Sequence, residues 1–538
     1  DSLSLDGQLS LTGGQVSNVR ANLLSQNQGT LLQNMDAEVN GEVKTRRGFR
    51  RFGDLLTASS GTTVQGLHWF DSVSGEYLLA FVDNGLYRCD SAGTWTLVQA
   101  GAAATPADPI HTAQVNDRFF ACPANARPTV WSYTNISAST AGTNVTDGPA
   151  NLAFLTAQKF RLFGCNPAAI DELYTSVYLP TTATPFTSGT AIASIRVGEG
   201  EGDPITGLFA WKGFTLLVFK EGSIWSMDTT PGTMDSTSTT IAAGFTLSRL
   251  SGRIGCVSHR SVVMAGNDVL FLSRDGVRSL AKVIGDEAGA TSEALSFPIE
   301  DYIQRINWEY AENACATYWQ GRYLLAVPLD SSTVNDHILV YRPQTQAWTV
   351  WTGIQPVQFA VSRYGGQPQK LAVLDARGQV LLWHDYVSPL SATSTDYRDN
   401  HTDSDDARID WMVRTKALVW NEPLNNKQPE FVELEFVRST AIADVRIIAD
   451  GDFAPTLASN LNTGTAGLTL PFVLPATLGN LSVRRPRLSM THYEPCRELV
   501  IEIREAENMT TAEAADSGYL ALRSVQAGAF VDTIEDQT

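Results

Sequence analysis

Short alternating runs of apolar and polar residues fill most of this chain of 538 residues. The runs are rich in Val, Ile, Leu, Thr and aromatic residues, and Gly, Asn and Asp separate them. A period of two is typical of half-buried β-strands. A helical period is found only in two short segments, near residues 297–311 and 510–518. The pattern therefore predicts an all-β fold.

A unit of about four strands recurs through the middle of the chain. The clearer copies occupy residues 64–98, 205–227, 257–280, 315–351 and 356–385, and weaker copies occupy 110–134 and 151–178. Turns such as Asn84-Gly85 and Asp275-Gly276 supply the positive φ that tight hairpins need. One blade cannot bury both faces alone, so such units stack in a ring. The sequence predicts a β-propeller of about six or seven four-stranded blades over residues 56–386, and a series of β-sandwiches is the alternative.

The segments on either side of the predicted propeller have different patterns. Residues 1–55 predict an extended N-terminal arm with a hairpin around Asn40-Gly41 that ends in a basic run. Residues 387–408 are rich in Ser, Thr and Asp and have no apolar period, which indicates a linker between domains. From 409 to 538 apolar and polar residues alternate strictly, as in "PEFVELEFV" at 429–437. This alternation predicts a C-terminal antiparallel β-sandwich with one solvated face.

Charge limits the classes of partner. The chain has 39 Lys and Arg against 57 Asp and Glu, a formal net charge of -18. Most of the surface should therefore repel nucleic acid and anionic membranes. No apolar run approaches the ~18 residues of a spanning helix, so we expect no membrane span. An acidic protein can nevertheless let DNA pass without holding it.

One stretch contradicts the acidic average. The sequence "VKTRRGFRRFG" at 43–53 concentrates cations and two aromatic residues. On a strand it would place cations on both faces, which a buried strand does not tolerate. Three interpretations stay open: docking within a larger assembly, a solvated hairpin, or contact with nucleic acid. We predict assembly contacts at Lys44, Arg46, Arg47, Phe49, Arg50, Arg51 and Phe52.

No motif predicts a cofactor or a metal. The glycines of "GEGEGDP" at 198–204 resemble a phosphate loop, but three acids accompany them and no Lys-Ser/Thr or helix follows. The acids Asp403, Asp405 and Asp406 lack the glycine and the distal Glu of a calcium loop, so they indicate a solvated linker. Six single cysteines and seven dispersed histidines form no zinc pattern.

Catalytic residues are not expected either. Some propellers are glycosidases, yet only "DSAGTW" at 90–95 resembles the structural turn of sialidases, and Arg88 stands where that turn has Ser. No G-x-S-x-G nucleophile elbow is present. The chain is therefore predicted not to be an enzyme, with no catalytic, cofactor-binding or metal-binding residues.

Several phrases resemble one family. They are "NMDAEVNGEVKTRRGF" (34–49), "GEGEGDPITGLFAWKGFTLLVFKEGSIWSM" (198–227), "GCVSHRSVVMAGNDVLFLSRDGVRSL" (255–280) and the later "VRTKALVWNEPLNNKQPEFVELEF" (413–436). These look like segments of the tail tubular, nozzle or hub proteins of short-tailed bacteriophages. The resemblance covers most of the chain in patches, and "VFKEGSIW" and "GNDVLFLSRDGVRSL" are its more specific parts.

This resemblance implies a structural protein of the virion tail that is made in the host cytoplasm. Family members form a ring, commonly a homo-hexamer, below the portal and adaptor, and tail-fibre proteins attach outside it. The ring would carry an axial acidic channel through which double-stranded DNA passes without tight binding. Candidate channel-facing acids are Glu199, Glu201, Asp203, Asp403, Asp405 and Asp406.

Two other functions remain as alternatives. A receptor-binding or carbohydrate-binding propeller would suit the Trp-rich turns "TWT" and "AWTVW". A glycan-cleaving propeller would need two carboxylates that converge in a pocket, and sequence spacing cannot show that convergence.

Overall fold

The structure is a computed structural model of the chain, and it describes most of residues 3–531. Within this span the described residues exclude 55, 57–62, 74, 84, 101–108, 124–129, 134–135, 137–141, 146–151, 166–169, 178–185, 189–190, 193, 230–245, 288–292, 384–396, 401–405, 438, 464–482 and 510–517. It is a mostly β structure with a propeller arrangement.

Seven short strands form the N-terminal part. They are β1 (Leu3–Gln8), β2 (Gly14–Gln15), β3 (Gln28–Gly29), β4 (Leu31–Gln33), β5 (Met35–Ala37), β6 (Val43–Thr45) and β7 (Phe49–Arg51). Strands β5 and β6 pair antiparallel across Asn40 and Gly41, and Gly41 has a positive φ of 95°. Except for β2 and β3, which pair with each other, these strands join sheets built by later parts of the chain.

Five separate sheets follow, and they are blades of the propeller. The first two contain β8 (Val64–Ser72), β9 (Gly75–Val82), β10 (Gly85–Cys89) and β11 (Trp95–Gln99), then β12 (Ile110–Val115), β13 (Arg118–Pro123), β14 (Val130–Tyr133) and β15 (Thr143–Val145). The third contains β16 (Ala153–Gln158), β17 (Arg161–Cys165), β18 (Glu172–Thr175) and β21 (Ser194–Arg196), and the pair β19 (Thr187–Ser188) and β20 (Ala191–Ile192) lies before β21. The fourth contains β22 (Ile205–Ala210), β23 (Thr215–Lys220), β24 (Ile224–Asp228) and β25 (Thr246–Ser251), and the fifth has three strands, β26 (Val263–Ala265), β27 (Asp268–Ser273) and β28 (Gly276–Ser279).

Two further units of the repeat belong to larger sheets. Strands β29 (Cys315–Trp319), β30 (Arg322–Val327), β31 (His337–Arg342) and β32 (Ala347–Thr352) form one end of a ten-stranded sheet. Strands β33 (Pro356–Ser362), β34 (Lys370–Asp375) and β35 (Gln379–Trp383) belong to a six-stranded sheet. In that sheet β7 pairs with β35, so residues from the N-terminus supply the fourth strand.

The inner strands of these units pack one against the next around a closed ring. The sequence of contacts runs from β8 through β12, β16 and β22, then over the 3-10 turn His259–Ser261 to β29, and β33 packs against β8 again. Apolar side chains fill the space between neighbouring sheets. For example, Leu78 of β9 and Leu374 of β34 share one buried cluster that joins the first sheet to the last.

The C-terminal strands are β36 (Arg398–Asn400), β37 (Asp406–Arg408), β38 (Met412–Arg414), β39 (Lys427–Val437), β40 (Ile442–Ala449), β41 (Asp452–Phe453), β42 (Ala458–Asn462), β43 (Val483–Arg484), β44 (Arg487–Ser489), β45 (Leu499–Glu505) and β46 (Ala521–Val531). Strands β36 and β37 extend the six-stranded sheet beyond β7, and the strands after them build two sheets that face each other. One sheet is centred on β39 and β46, and the other continues from β4 through β38 to β45 and β40. Leu434 and Val525 of the first sheet share a buried core with Val445 and Ile503 of the second.

Helices are few and short. Helix α1 (Leu280–Glu287) follows β28, where the other separate blades have a fourth strand. The sequence pattern did not indicate α1, because its eight residues provide barely two turns of helical period. The helix predicted over 297–311 is α2 (Glu300–Gln304) flanked by 3-10 turns. The one predicted near 510–518 lies almost wholly outside the described residues.

Candidate functional site

The basic segment, residues 43–53, crosses from the C-terminal sheets to the propeller. Its first strand, β6, pairs with β46, so Lys44 lies opposite Ala521. Its second strand, β7, pairs antiparallel with β35 and places Phe49 opposite Trp383. Residues 46–48 form the crossing between the two sheets. The segment therefore joins the two main parts of the molecule.

Arg46 lies at this crossing with only 1% of its surface exposed. Its Nε donates to Asn34 Oδ1 at 2.9 Å, and Nη2 donates to the carbonyl of Thr352 at 2.8 Å. Nη1 donates to Asp399 Oδ1 at 2.9 Å and to the carbonyl of Arg47 at 3.1 Å, and Nη2 also donates to Asp399 Oδ2. All five guanidinium N–H groups are thus satisfied. A buried charge is tolerated because it is paired and fully hydrogen-bonded.

Asp399 and Gly48 complete this node. Asp399 Oδ1 also accepts a hydrogen bond from the backbone N–H of Phe49 at 3.1 Å. A Cβ placed on Gly48 would lie 1.8 Å from the carbonyl oxygen of Arg398, so the backbones approach too closely for any side chain. The glycine in the basic segment is therefore required by the contact of β7 with β36.

Aromatic rings cover the node on the propeller side. Phe49 packs edge-on against Trp383 with ring centroids 5.0 Å apart, and Trp383 stacks on Trp351 at 5.1 Å. The Arg46 guanidinium carbon lies 5.8 Å from the Phe49 ring centroid. Such contacts add a modest cation–π attraction to a desolvated cation. The segment's charge and its aromatic anchors are thus used within one chain.

The remaining residues of the segment lie at varied depths. Lys44 pairs with Glu42 at 3.2 Å, and the Arg47 guanidinium lies 5.4 Å from the ring centroid of Tyr397. Arg50 is exposed, whereas Arg51 and Phe52 are half-buried. The carbonyl of Phe52 accepts a hydrogen bond from Trp95 Nε1 at 2.8 Å.

Burial differs among the residues at which we predict assembly contacts. Arg46, Arg47 and Phe49 are buried within the chain. The charge of Arg46 is matched there by Asp399, so its burial is tolerated. The more exposed members of the set are Lys44, Arg50, Arg51 and Phe52. Assembly contact through this segment stays a prediction.

A second ion-pair node lies beside the first and was not indicated by the sequence. Arg322 of β30 donates from Nε and Nη2 to the two carboxylate oxygens of Asp36 in β5, at 2.8 and 2.7 Å. Glu38 and Arg342 lie within 4.0 Å of members of this pair. Arg322 and Asp36 are 286 positions apart, so no local sequence pattern could have paired them. A cavity of ≈ 70 Å³ is lined by Asp36 and Arg322 of this node and by Arg47 of the basic segment.

The acidic loop at 198–204 connects β21 to β22 and uses its carboxylates locally. Glu201 pairs with the buried Lys220 at 3.4 Å and with Arg249 at 3.3 Å. Asp203 accepts from the backbone N–H of Gly222 at 3.1 Å and from Ser223. Glu199 is exposed and pairs with Arg196 at 2.9 Å.

The other candidate channel acids are less informative. Asp403 and Asp405 lie outside the described residues. Asp406 is the first residue of β37 and pairs in register with Asn400 of β36. Whether any of these acids faces a channel depends on neighbouring subunits, so that role stays a prediction.

Metal and thiol chemistry have no visible centre in the described part of the chain. No group of three or more His, Cys, Asp or Glu side chains there is placed to hold a metal ion. The six cysteines are buried and unpaired, and burial raises the pKa of the Cys256 thiol to about 11. Across the described ranges, no helix is both long and apolar enough to cross a membrane.

Comparisons with known proteins add a likeness of fold. The sequence matches no protein family and no curated protein. Among solved structures, it is similar to BBS1N in complex with ARL6DN, with a TM-score of 0.38 and 12% identity over 63% of this chain and 97% of that chain. The WD40 β-propeller domain of Doa1 gives a TM-score of 0.38 and 9% identity over 62% and 96%. A chain of the Mitotic Checkpoint Complex gives 0.34 and 10% over 64% and 95%.

Proposed function

We propose that this chain is a structural subunit of a short-tailed bacteriophage tail, either a nozzle or a hub protein, and that it is not an enzyme. Six copies would form a ring below the portal and adaptor and carry tail-fibre proteins outside. The phrases at 34–49, 198–227 and 255–280 support this proposal, since they resemble that family. Its place is the virion tail, after assembly in the host cytoplasm.

We also propose a finer description of the architecture. The five separate sheets, the unit β29–β32 and the unit β33–β35 with β7 are seven blades, and the facing sheets of the C-terminal part are a β-sandwich domain. The ring of inner-strand contacts and the buried cluster shared by the first and last sheets support the count of seven.

The observation that carries the proposed function is the use of the cations. The chain has a net charge of -18, and several of its cations are paired with carboxylates of the same chain: Arg46 with Asp399, Lys44 with Glu42 and Lys220 with Glu201. Six copies would carry -108. A strongly acidic ring repels DNA phosphates, so DNA would slide through a bore rather than bind to it.

Strand pairing and buried ion pairs within the chain also suit a component that bears the force of genome ejection. The N-terminal strands pair within both main parts of the chain, and two buried Arg–Asp pairs join those parts. A subunit held in this way would keep its shape while its neighbours and the passing DNA push against it.

Electron microscopy of the assembled particle tests this proposal directly. We expect density for this chain as a ring around the tail axis, with an open or plugged bore. Native mass spectrometry of the purified chain should show a cyclic oligomer at assembly concentrations. A chain that is monomeric within the particle and distant from the tail axis would contradict the proposal.

A further inference from the structure

The axis of the propeller holds an arginine with an unusual set of partners. Arg260 belongs to the 3-10 turn His259–Ser261, which packs between β22 and β29. Its Nη2 donates to the carbonyls of Gln65 in β8 and Ile110 in β12, both at 3.0 Å. Its Nη1 donates to the carbonyl of Val357 in β33 at 3.4 Å. The guanidinium therefore lies where the inner strands of several sheets meet.

The charge of Arg260 lacks an anionic partner among the described residues. No Asp or Glu there lies within ion-pair distance of it, whereas Arg46 and Arg322 each have a bidentate carboxylate. Burial lowers the pKa of Arg260 to about 10, so it stays charged at neutral pH. Its side chain is half-buried, and backbone carbonyls compensate such a cation only in part. Three of its five N–H groups are used by the carbonyls, which leaves two for a ligand.

A cavity of ≈ 260 Å³ opens beside this arginine. Thr63, Asn313, Thr333 and Asn335 supply polar groups to its wall, and none of the described residues that line it carries a carboxylate. Asn335 is buried, and its Nδ2 donates to the carbonyls of Asn313 at 2.9 Å and Pro356 at 2.7 Å. Its Oδ1 has no hydrogen-bond partner among the described residues.

The wall thus offers one cation without a carboxylate partner. The cation attracts an anion, and the planar fork of a guanidinium matches the oxygens of a phosphate group. A cavity of this size holds such a group with several waters, because each water occupies about 30 Å³.

We propose that the axial cavity beside Arg260 binds a small phosphate-type anion, with the guanidinium as its charge partner. The anion is either free phosphate or a small phosphate monoester. When bound, it would neutralise the cation at the point where the blades meet, and it would therefore stabilise the closed ring of blades.

Calorimetry and thermal unfolding of the full chain test this proposal with inorganic phosphate, against chloride at equal ionic strength. We expect saturable binding and a rise in the unfolding temperature with phosphate. Arg260→Met should weaken phosphate binding about tenfold or more. Arg260→Lys, which keeps the charge, should retain weaker binding even if the Met variant folds poorly. Arg274→Met, which removes an exposed cation that pairs with Glu221, is the matched control and should bind as the wild type does.

The outcomes separate the alternatives. Glycerol phosphate, a phosphate monoester, serves as a second probe. If both probes bind, the site accepts monoesters as well as free phosphate. If only inorganic phosphate binds, the site is restricted to the free anion. Absence of a phosphate effect in the wild-type chain would overturn the proposal. So would equal phosphate affinity in the wild type, Arg260→Met and Arg260→Lys, because the anion would then bind elsewhere and Arg260 would serve only to bridge the blades.

Discussion

Arg46 and Asp399 illustrate how a single buried pair can connect two parts of a β protein. The guanidinium donates to the carbonyl of Arg47 just before β7, to the carbonyl of Thr352 at the end of β32 and to the carboxylate of Asp399 in β36. All its N–H groups are used. A buried ion pair adds little net stability compared with apolar packing, but removal of one partner leaves an uncompensated charge. The pair therefore specifies one arrangement of these strands more than it strengthens the fold.

Replacement of Arg46 by Met should destabilise the chain by about 3–5 kcal/mol, because Asp399 then stays buried without its cation. The measurement is the shift of the urea unfolding midpoint. The double variant Arg46→Met with Asp399→Asn should lose less than Arg46→Met alone, since Asn can still accept from the Phe49 N–H. Arg305→Met, at an exposed pair with Asp330, is the control and should change stability far less, because solvent screens that pair. Equal losses at positions 46 and 305 would contradict the argument.

His68 gives a residue-scale prediction about acid. Burial lowers the pKa of His68 to about 4, below its ordinary value of 6.5. The unfolded chain therefore binds a proton that the folded chain rejects, so stability is complete above pH 6.5 and falls as pH drops towards 4. The total loss from this residue is on the order of 3 kcal/mol.

The variant His68→Asn isolates that effect. It keeps an acceptor near the Nδ1 position that contacts Thr112 at 3.1 Å but does not titrate in this range. Burial raises the pKa of Glu505 to about 7, and its contribution to stability is lost as pH rises, so the wild-type curve mixes two opposite trends. The difference between the wild type and His68→Asn should shrink from pH 7 to pH 4. A constant difference across this range would rule out a neutral buried His68.

At the scale of elements, the N-terminal strands are internal parts of sheets built by the rest of the chain. Strand β4 lies between β32 and β38 and so makes the propeller and C-terminal strands one continuous sheet. Strand β7 lies between β35 and β36 in the same way. Because β4 and β7 are paired on both sides, the sheets have no free edge at these positions. Removal of the two strands would expose sheet edges on the strands that now pair with them.

Deletion of residues 1–53 should therefore give a chain that aggregates and unfolds at lower temperature. A synthetic peptide of residues 28–53 added in trans should restore solubility, because it supplies β4–β7 to the vacant positions. The same peptide with Arg46→Glu is the matched control, and it should fail because its carboxylate would face Asp399. Light scattering and thermal unfolding measure both effects. A deletion variant as stable as the full chain would show that these strands are dispensable.

At the scale of the whole molecule, charge is the property that matters for the proposed ring. In the proposed ring, a net charge of -18 per chain would make assembly dependent on specific contacts and would make DNA retention weak. The acidic loop at 198–204 is the described segment that we predict to face the bore. In a ring, a substitution there would be multiplied by the number of copies.

The substitution Glu199→Lys tests the placement of that loop. Glu199 is exposed and pairs with an exposed Arg196, so its replacement should leave folding intact. If the loop faces the bore, assembled rings should retain linear double-stranded DNA more strongly at low salt, and the effect should fade near 0.15 M salt, where the Debye length is about 8 Å. Glu309→Lys makes the same charge change at another exposed position and is the control. Equal DNA retention in the two variants would remove the loop from the bore.

The sequence alone determined the all-β class and the recurrence of the four-strand unit, because a period of two and glycine turns are local properties of the chain. It did not determine where the cations of the basic segment lie, and it missed the partners of Arg322 and Arg260. Those depend on residues far apart in the chain: Asp399 is 353 positions from Arg46, and Asp36 is 286 from Arg322. Only the tertiary structure decided which charges are buried and paired, because burial and pairing arise where separate strands meet.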